Sequence, residues 1–159
     1  MEERLKLALS LWHEGYLAQA EGDLERAVEL YTRSIAVEPT AEAYTFRGWA
    51  YNFMGRAEDA IAECHKAIAV DPDFGNPYND IGAYLMARGE LDPAIEWLEK
   101  AKQAPRYEAR HFPYMNLCRL YAAKGMVRRA IEEIEGALRI EPEQPTCRAM
   151  LAQLRGLLN

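Results

Sequence analysis

Apolar residues recur along the chain at the spacing of an amphipathic helix, and they do so in paired segments. Ala60, Ile61, Cys64, Ala67 and Ile68 occupy positions i, i+1, i+4, i+7 and i+8, which places them on one helix face. A second stripe of apolar residues precedes each such segment, on the other side of a glycine. The pattern therefore predicts pairs of helices, each pair joined by a turn at the glycine.

The helix pair occurs four times, with alanine, glycine and proline in a fixed register. The alanines are 33, 34 and 36 residues apart and lie at Ala27, Ala60, Ala94 and Ala130. A glycine stands five residues before each alanine, at Gly22, Gly55, Gly89 and Gly125. A proline closes each unit, at Pro39, Pro72, Pro105 and Pro142. Such self-similarity is typical of helical repeats that stack on their neighbours.

The register resembles the tetratricopeptide repeat, which reads W-x-x-L-G-x-x-Y, then A-x-x-x-F, then P, over about 34 residues. The second unit matches with Tyr44, Arg47, Gly48, Tyr51, Ala60, Cys64, Ala67 and Pro72. The third and fourth units follow the same register from Tyr78 and Tyr114, and the first is the least regular. The resemblance covers about residues 8–142. It implies an all-α fold, an alpha-alpha superhelix that forms a right-handed solenoid of four helix pairs.

We expect one domain over residues 1–159, with repeats at about 8–40, 41–74, 75–108 and 111–144. Residues 145–157 predict a further helix that caps the apolar face of the last repeat. Two extra residues separate the third and fourth units, around Ala109 and Arg110. They predict either a longer helix before them or a widened turn.

The resemblance implies a concave groove, lined by the first helix of each pair, that binds peptides or protein segments. It brings no catalytic residues. The leading helices carry aromatic anchors, such as Tyr44, Tyr78 and Tyr114. We expect the position just after each anchor, and the positions one turn further on, to face this groove. The candidate peptide-binding residues are Trp12, Tyr16, Thr45, Trp49, Asn52, Phe53, Asn76, Asn79, Asp80, Met86, Phe112, Met115, Asn116 and Arg119. By contrast, charged residues of the second helices, Glu63 and Glu133 among them, predict a solvated convex face.

The candidate residues suit an extended or partly helical segment with apolar anchors. Asparagine both donates and accepts hydrogen bonds, so it can pair with peptide amides whatever the sequence. Aromatic and methionine side chains are typical of adaptable grooves and binding hot spots. The predicted path of the segment runs along Trp12, Trp49, Asn79, Phe112 and Asn116.

Chaperone-binding members of the family hold a C-terminal carboxylate with lysine, asparagine and arginine on three successive leading helices. Aligned on units one to three, those places hold Trp12, Tyr16, Phe46, Asn76 and Asp80. Aligned on units two to four, they hold Thr45, Trp49, Asp80, Phe112 and Asn116. Neither set contains a lysine or an arginine, so binding of chaperone termini by such a clamp is disfavoured.

Some of these residues also have purely structural interpretations. We expect the remaining aromatic anchors to pack between helices: Tyr31, Tyr44, Tyr78, Trp97 and Tyr114. Trp12, Trp49 and Phe53 either face the groove or are covered by residues 1–7, by the C-terminal helix or by a second copy of the chain. Asn76 is also a good helix cap.

Composition narrows the class of function. A net charge of −6 argues against binding to nucleic acid or to anionic membranes, since both need a basic surface. No apolar run approaches the roughly 20 residues of a membrane span. The cysteines, Cys64, Cys118 and Cys147, have no paired spacing, which predicts reduced thiols in a cytoplasmic protein.

Nothing in the sequence predicts an enzyme, a metal site or a cofactor. The histidines, His13, His65 and His111, belong to different predicted helices, and no phosphate-binding loop or nucleophile motif is present. Three non-enzymatic functions stay open. The first is an adaptor that binds a partner's segment, the second is an assembly unit that self-associates through its aromatic surface or its ends, and the third regulates an attached or co-expressed enzyme.

Overall fold

The computed structural model describes all 159 residues as nine helices, with one isolated β-bridge and no strand. The helices are α1 (Glu2–Ala20), α2 (Leu24–Val37), α3 (Ala41–Phe53), α4 (Ala57–Val70), α5 (Asn76–Ala87), α6 (Leu91–Gln103), α7 (His111–Ala123), α8 (Val127–Ile140) and α9 (Pro145–Gly156). The most extensive contacts join α1 to α2, α3 to α4, α5 to α6 and α7 to α8. The predicted all-α solenoid of four helix pairs is therefore confirmed, and α9 follows as a ninth helix.

The turn inside each pair is built on a left-handed glycine, as the sequence predicts. Gly22, Gly55, Gly89 and Gly125 have φ angles between +77° and +87°. Only glycine adopts this conformation without a steric penalty, which explains why all four turns carry it.

Small residues permit the two helices of a pair to approach closely. A Cβ on Gly48 would lie 2.9 Å from the carbonyl oxygen of Ala60, and one on Gly82 would overlap the Leu98 side chain. Cys118 holds the corresponding place in the fourth pair and is buried. A larger side chain at Gly48 or Gly82 would therefore force the paired helices apart.

The prediction of a solvated convex face is wrong at two acidic positions, because Glu63 and Glu133 are both buried. Arg47 Nε donates to Glu63 at 2.6 Å and Lys66 Nζ donates to the other oxygen at 2.9 Å. Lys102 Nζ donates to Glu133 at 2.8 Å. A buried carboxylate is costly unless it is paired, and these partners compensate its loss of water.

The first helix begins earlier than the repeat register predicts. α1 begins at Glu2, ahead of residue 8, with Glu2 and Glu3 in its first turn where acidic side chains favour the helix dipole. Arg4 donates from Nε and Nη2 to the carbonyl oxygen of Val37, at 3.1 and 2.6 Å. This contact ties the start of α1 to the end of α2.

The extra residues before the fourth pair widen a turn and do not lengthen a helix, since α6 ends at Gln103. Residues 104–110 fold back on the α4–α5 loop, and Arg106 joins that loop by two backbone hydrogen bonds of 3.0 Å. Its guanidinium also pairs with Asp71 at 2.7 Å and with Glu42 at 2.9 Å.

The last helix closes the core of the fourth pair. Cys147 and Leu154 of α9 are buried in one cluster with Leu117 and Ile134 of α7 and α8. This is the capping contact that the sequence predicts. None of the nine helices combines the length and the apolar character that a bilayer crossing requires.

Candidate binding groove

The leading helices α1, α3, α5 and α7 contact one another in that order and form one side of the solenoid. Two adjoining cavities lie on this side. The first, of about 410 Å³, is lined by Trp12, Glu42, Phe46, Phe74, Asn76, Arg106, Glu108 and Ala109. The second, of about 290 Å³, is lined by Phe46, Trp49, Asn76, Asn79, Asp80, Tyr107 and Phe112. Because they share Phe46 and Asn76, we treat them together as the groove.

Trp12, Phe46 and Trp49 line the groove, and their row of aromatic rings continues beyond it to Phe53. Their centroids are 5.4 Å apart for Trp12 and Phe46, 5.9 Å for Phe46 and Trp49, and 5.3 Å for Trp49 and Phe53, all edge to face. Trp49 is 37% exposed, Phe53 60% and Phe112 45%. Neither the start of α1 nor α9 covers them, so within one chain these rings face solvent.

The interpretation of the first position after each aromatic anchor needs correction. Thr45, Asn79 and Met115 are only 1%, 7% and 5% exposed. The Thr45 hydroxyl donates to the Ala41 carbonyl at 2.7 Å, and Met115 belongs to the C-terminal core. Thr45 and Met115 are therefore not groove-wall residues.

The asparagines are partly engaged inside the protein. Asn116 Nδ2 donates to Asn79 Oδ1 at 3.0 Å, and Arg119 Nη1 donates to Asn116 Oδ1 at 3.3 Å. The first of these hydrogen bonds links α5 to α7, and both engage asparagine side chains that the sequence predicts to bind a peptide. Asn76 lines both cavities and does not cap α5, whose N-cap is Gly75.

Asp80 lies in the second cavity without a cationic partner. It is partly buried, and burial raises the pKa of its carboxyl to about 7, with a hydrogen bond from Asn79 opposing the shift. No lysine or arginine nitrogen lies within 4.0 Å of it, and no positive charge acts on its pKa. After burial itself, the Asp80 charge is the next cause that raises the pKa values of Cys64, Tyr84 and Tyr107.

Tyr16, Asn52, Met86 and Arg119 line neither of the two cavities. Tyr16 is exposed, 5.9 Å from the Phe46 ring, while Asn52 is partly buried. Met86 packs against the C-terminal core. Arg119 lines a separate cavity of about 310 Å³ between α7 and α9. The structure therefore brings together the candidates of the second cavity: Trp49, Asn76, Asn79, Asp80 and Phe112.

Sequence reasoning missed seven residues that line the groove: Glu42, Phe46, Phe74, Arg106, Tyr107, Glu108 and Ala109. The sequence assigns Phe46 only to a clamp position, yet it lines both cavities. Arg106 and Tyr107 come from the widened turn, where the repeat register is interrupted. The two extra residues before the fourth pair were the only signal that this turn adds side chains to the groove.

The three cysteines are free and buried, and the acidic and histidine side chains form no metal-binding group. No group of three or more His, Cys, Asp or Glu side chains is placed to hold a metal ion. Burial raises the pKa of Cys118 to about 11 and raises the pKa values of Cys64 and Cys147, which keeps the thiols protonated at neutral pH.

Comparison with known families identifies the repeat. The family model described as tetratricopeptide repeat matches residues 41–74. The chain is 31% identical over 100 residues to small glutamine-rich tetratricopeptide repeat-containing protein 2 of Mycosarcoma maydis. That match covers 62% of this chain and 28% of the relative, so the chain spans less than a third of the relative's length.

Two solved structures are similar to this fold. PilF of Pseudomonas aeruginosa superimposes with a TM-score of 0.87 at 22% identity, covering 96% of this chain and 69% of that one. The second tetratricopeptide domain of Spaghetti (RPAP3), solved with the HSP90 peptide SRMEEVD, gives a TM-score of 0.59 at 28% identity. It covers 65% of this chain and 99% of that one.

Proposed function

Because the chain belongs to the tetratricopeptide repeat family, we propose that it is a non-enzymatic adaptor that holds an extended segment of a partner protein in its groove. The observation that carries this proposal is the exposure of Trp49 and Phe112 around the second cavity. The peptide bound to the related domain of Spaghetti supports the mode of binding.

The aromatic rings supply the energy for such binding. Trp49 stands on α3 and Phe112 on α7, two rigid helices with α5 between them. Packed helices lie about 8–10 Å apart, so the path from α3 to α7 takes roughly six residues of extended chain. Each anchor side chain that covers a ring removes apolar surface from water, at about 25 cal/mol per Å². Rigid aromatic side chains are enriched among binding hot spots for this reason.

The charge of the groove argues against chaperone termini as partners. The peptide SRMEEVD ends in acidic residues and a carboxylate. This groove offers the carboxylate of Asp80 in its second cavity, while Arg106 in the first is already paired with Glu42 and Asp71. Like charges repel, so we expect SRMEEVD to bind weakly.

Selection from a random peptide library, followed by fluorescence anisotropy, tests the adaptor role. The double variant Trp49→Ala, Phe112→Ala should lower the affinity for selected peptides at least tenfold, because it removes both exposed anchors. Its thermal midpoint should stay close to that of the parent, since neither ring is in the core. Phe53→Ala is the matched control, because Phe53 is exposed but lines neither cavity. Equal affinity of the double variant and the parent would contradict the proposal.

The same variant separates the adaptor from a self-associating assembly unit. Sedimentation velocity from a few micromolar to several hundred micromolar should show one monomeric species. A dimer that disappears in the double variant would show instead that the aromatic surface joins copies of the chain.

A further inference from the structure

The second cavity joins a carboxylate to a set of aromatic rings. Phe46 and Trp49 come from α3, Tyr107 from the α6–α7 loop and Phe112 from α7, while Asp80 enters from α5. We propose that this cavity binds the cationic side chain of a lysine or arginine in the partner's segment, with Asp80 as its counter-charge and the rings as its walls. The proposal rests on the adaptor function and specifies one residue type that the groove selects.

The size and lining of the cavity fit one long side chain. Its volume of about 290 Å³ lies just below the range for small-ligand pockets, roughly 300–1,000 Å³. Aromatic rings attract cations through their electron-rich faces, most strongly where water is excluded. Lysine and arginine also have apolar stems that pack on rings while their charged end reaches a carboxylate. A metal ion is a poor fit, because no group of three or more His, Cys, Asp or Glu side chains is arranged to hold one.

Unlike the other buried carboxylates, Asp80 has no cationic partner within the chain. Glu63 is bound by Arg47 and Lys66, and Glu133 by Lys102, at 2.6 to 2.9 Å. In the adjoining cavity Glu42 is bound by Arg106. Asp80 alone of these has no cation within 4.0 Å. An unpaired ionised carboxylate in a partly buried site is unfavourable, and a cation from a ligand would relieve that cost.

The pKa of Asp80 makes binding depend on pH. Burial raises this pKa to about 7, so near neutral pH part of the Asp80 carboxyls carry a proton, which a bound cation displaces. The groups that face Asp80 are Cys64 of α4, Tyr84 of α5 and Tyr107 of the loop, and their raised pKa values keep them uncharged. Glu63 of α4 stays paired with its two cations, and on the loop side Arg110 acts on Tyr107. Asp80 is therefore the group that titrates, and affinity should rise as the pH rises through 7.

A small-molecule probe tests the cavity directly. N-acetyl-lysine methylamide is titrated at pH 8 and followed by the indole N–H resonance of Trp49 and the side-chain amide of Asn79. N-acetyl-norleucine methylamide serves as the uncharged comparison. We expect saturable shifts with the lysine compound only, and an affinity at least tenfold lower in Asp80→Asn. Asp59→Asn removes the same charge at an exposed position and should bind as the parent does. Equal responses to the two compounds, or in Asp80→Asn and the parent, would overturn the proposal.

Selected peptides separate this inference from the adaptor role. Peptides selected on the parent should share a lysine or arginine at one position, and replacing it by norleucine should weaken binding at least tenfold at pH 8 and less at pH 6. If peptides bind through Trp49 and Phe112 without that preference, the adaptor role stands and the cation pocket is wrong. If the lysine compound binds but no peptide does, the pocket stands and the adaptor role fails.

Discussion

Glu63 and Asp80 are both carboxylates removed from water, but only Glu63 has arginine and lysine partners within the chain. The difference has a consequence for stability as well as for binding. The folded-state pKa of Asp80, about 7, lies above its ordinary value of 3.8. The folded protein thus binds the proton more tightly than the unfolded chain does. By linkage, stability falls as the pH rises from about 4 to about 7, and the loss is complete above 7.

Asp80→Asn should therefore stabilise the free protein at high pH. The expected gain at pH 8 to 9 is on the order of 1–3 kcal/mol, since each unit of pKa shift corresponds to about 1.4 kcal/mol and the carboxylate keeps some contact with water. At pH 4 the gain should vanish, because the carboxyl is then protonated in the folded state. Thermal unfolding of the variant and the parent across this range measures the difference.

Asp59→Asn supplies the control for that experiment. Asp59 is exposed and pairs with Arg56 at 2.8 Å, an interaction that contributes little at a surface. This variant should follow the parent at every pH. A pH-independent effect of Asp80→Asn would show that its carboxylate is not the group that destabilises the fold. A gain in stability together with a loss of lysine binding is the pattern of a residue kept for function.

Single residues also show where sequence reasoning stops. The repeat register gives residue types and helix faces, and three of the residues that it singles out, Trp49, Asp80 and Phe112, line the second cavity. It does not distinguish a side chain open to the groove from one that is buried in the protein, as for Thr45 and Met115. That distinction depends on how closely successive pairs pack, a long-range property that no local pattern encodes.

Among the connecting elements, the α6–α7 loop contributes most to the groove. Tyr107 from this loop packs directly on Gly75, and a Cβ at Gly75 would overlap the Tyr107 ring. Arg106 lies over the Phe74 ring at 4.2 Å and binds Asp71 and Glu42. The loop is thus held against the α4–α5 loop by packing, ion pairs and backbone hydrogen bonds together. These contacts place Tyr107 in the second cavity.

Gly75→Ala should displace Tyr107 from the cavity. The added methyl group has no room unless the ring or the loop moves, and such overpacking typically costs about 1–3 kcal/mol. Urea unfolding measures that loss, and the lysine compound measures the accompanying change in the cavity. The matched control is Gly156→Ala, since nothing lies within 4 Å of a Cβ there and the substitution adds helix propensity. Unchanged stability in Gly75→Ala would show that the loop yields freely and does not fix Tyr107.

Some elements are determined by the local sequence, and others by contacts with distant parts of the chain. The nine helices and their glycine turns follow from patterns of a few residues, so the sequence predicts them well. The α6–α7 loop breaks the repeat, and its position depends on contacts with a loop some 30 residues earlier in the chain. The repeat register reveals the extra residues but does not predict the position of the Tyr107 side chain.

Across the whole molecule the core is unevenly distributed. The largest cluster holds 12 buried residues from α6, α7, α8 and α9. The cluster between α1, α2 and α3 has three: Ala27, Tyr31 and Ala50. In a solenoid each pair is stabilised only by its neighbours, so stability is a sum of local contributions. The C-terminal half should therefore be the more stable half.

Hydrogen exchange followed by mass spectrometry tests this gradient. Amides of α7 and α8 should exchange at least tenfold more slowly than those of α1 and α2, because opening α7 and α8 exposes the large cluster to water. Removing residues 145–159 takes Cys147 and Leu154 out of that cluster and should bring α7 and α8 down to the protection of the first pair. Removing only residues 157–159, which are exposed, should leave the gradient intact. Equal protection along the parent chain would mean that the four pairs unfold as one cooperative unit, with the long α1 and its Arg4 contact compensating for the smaller N-terminal core.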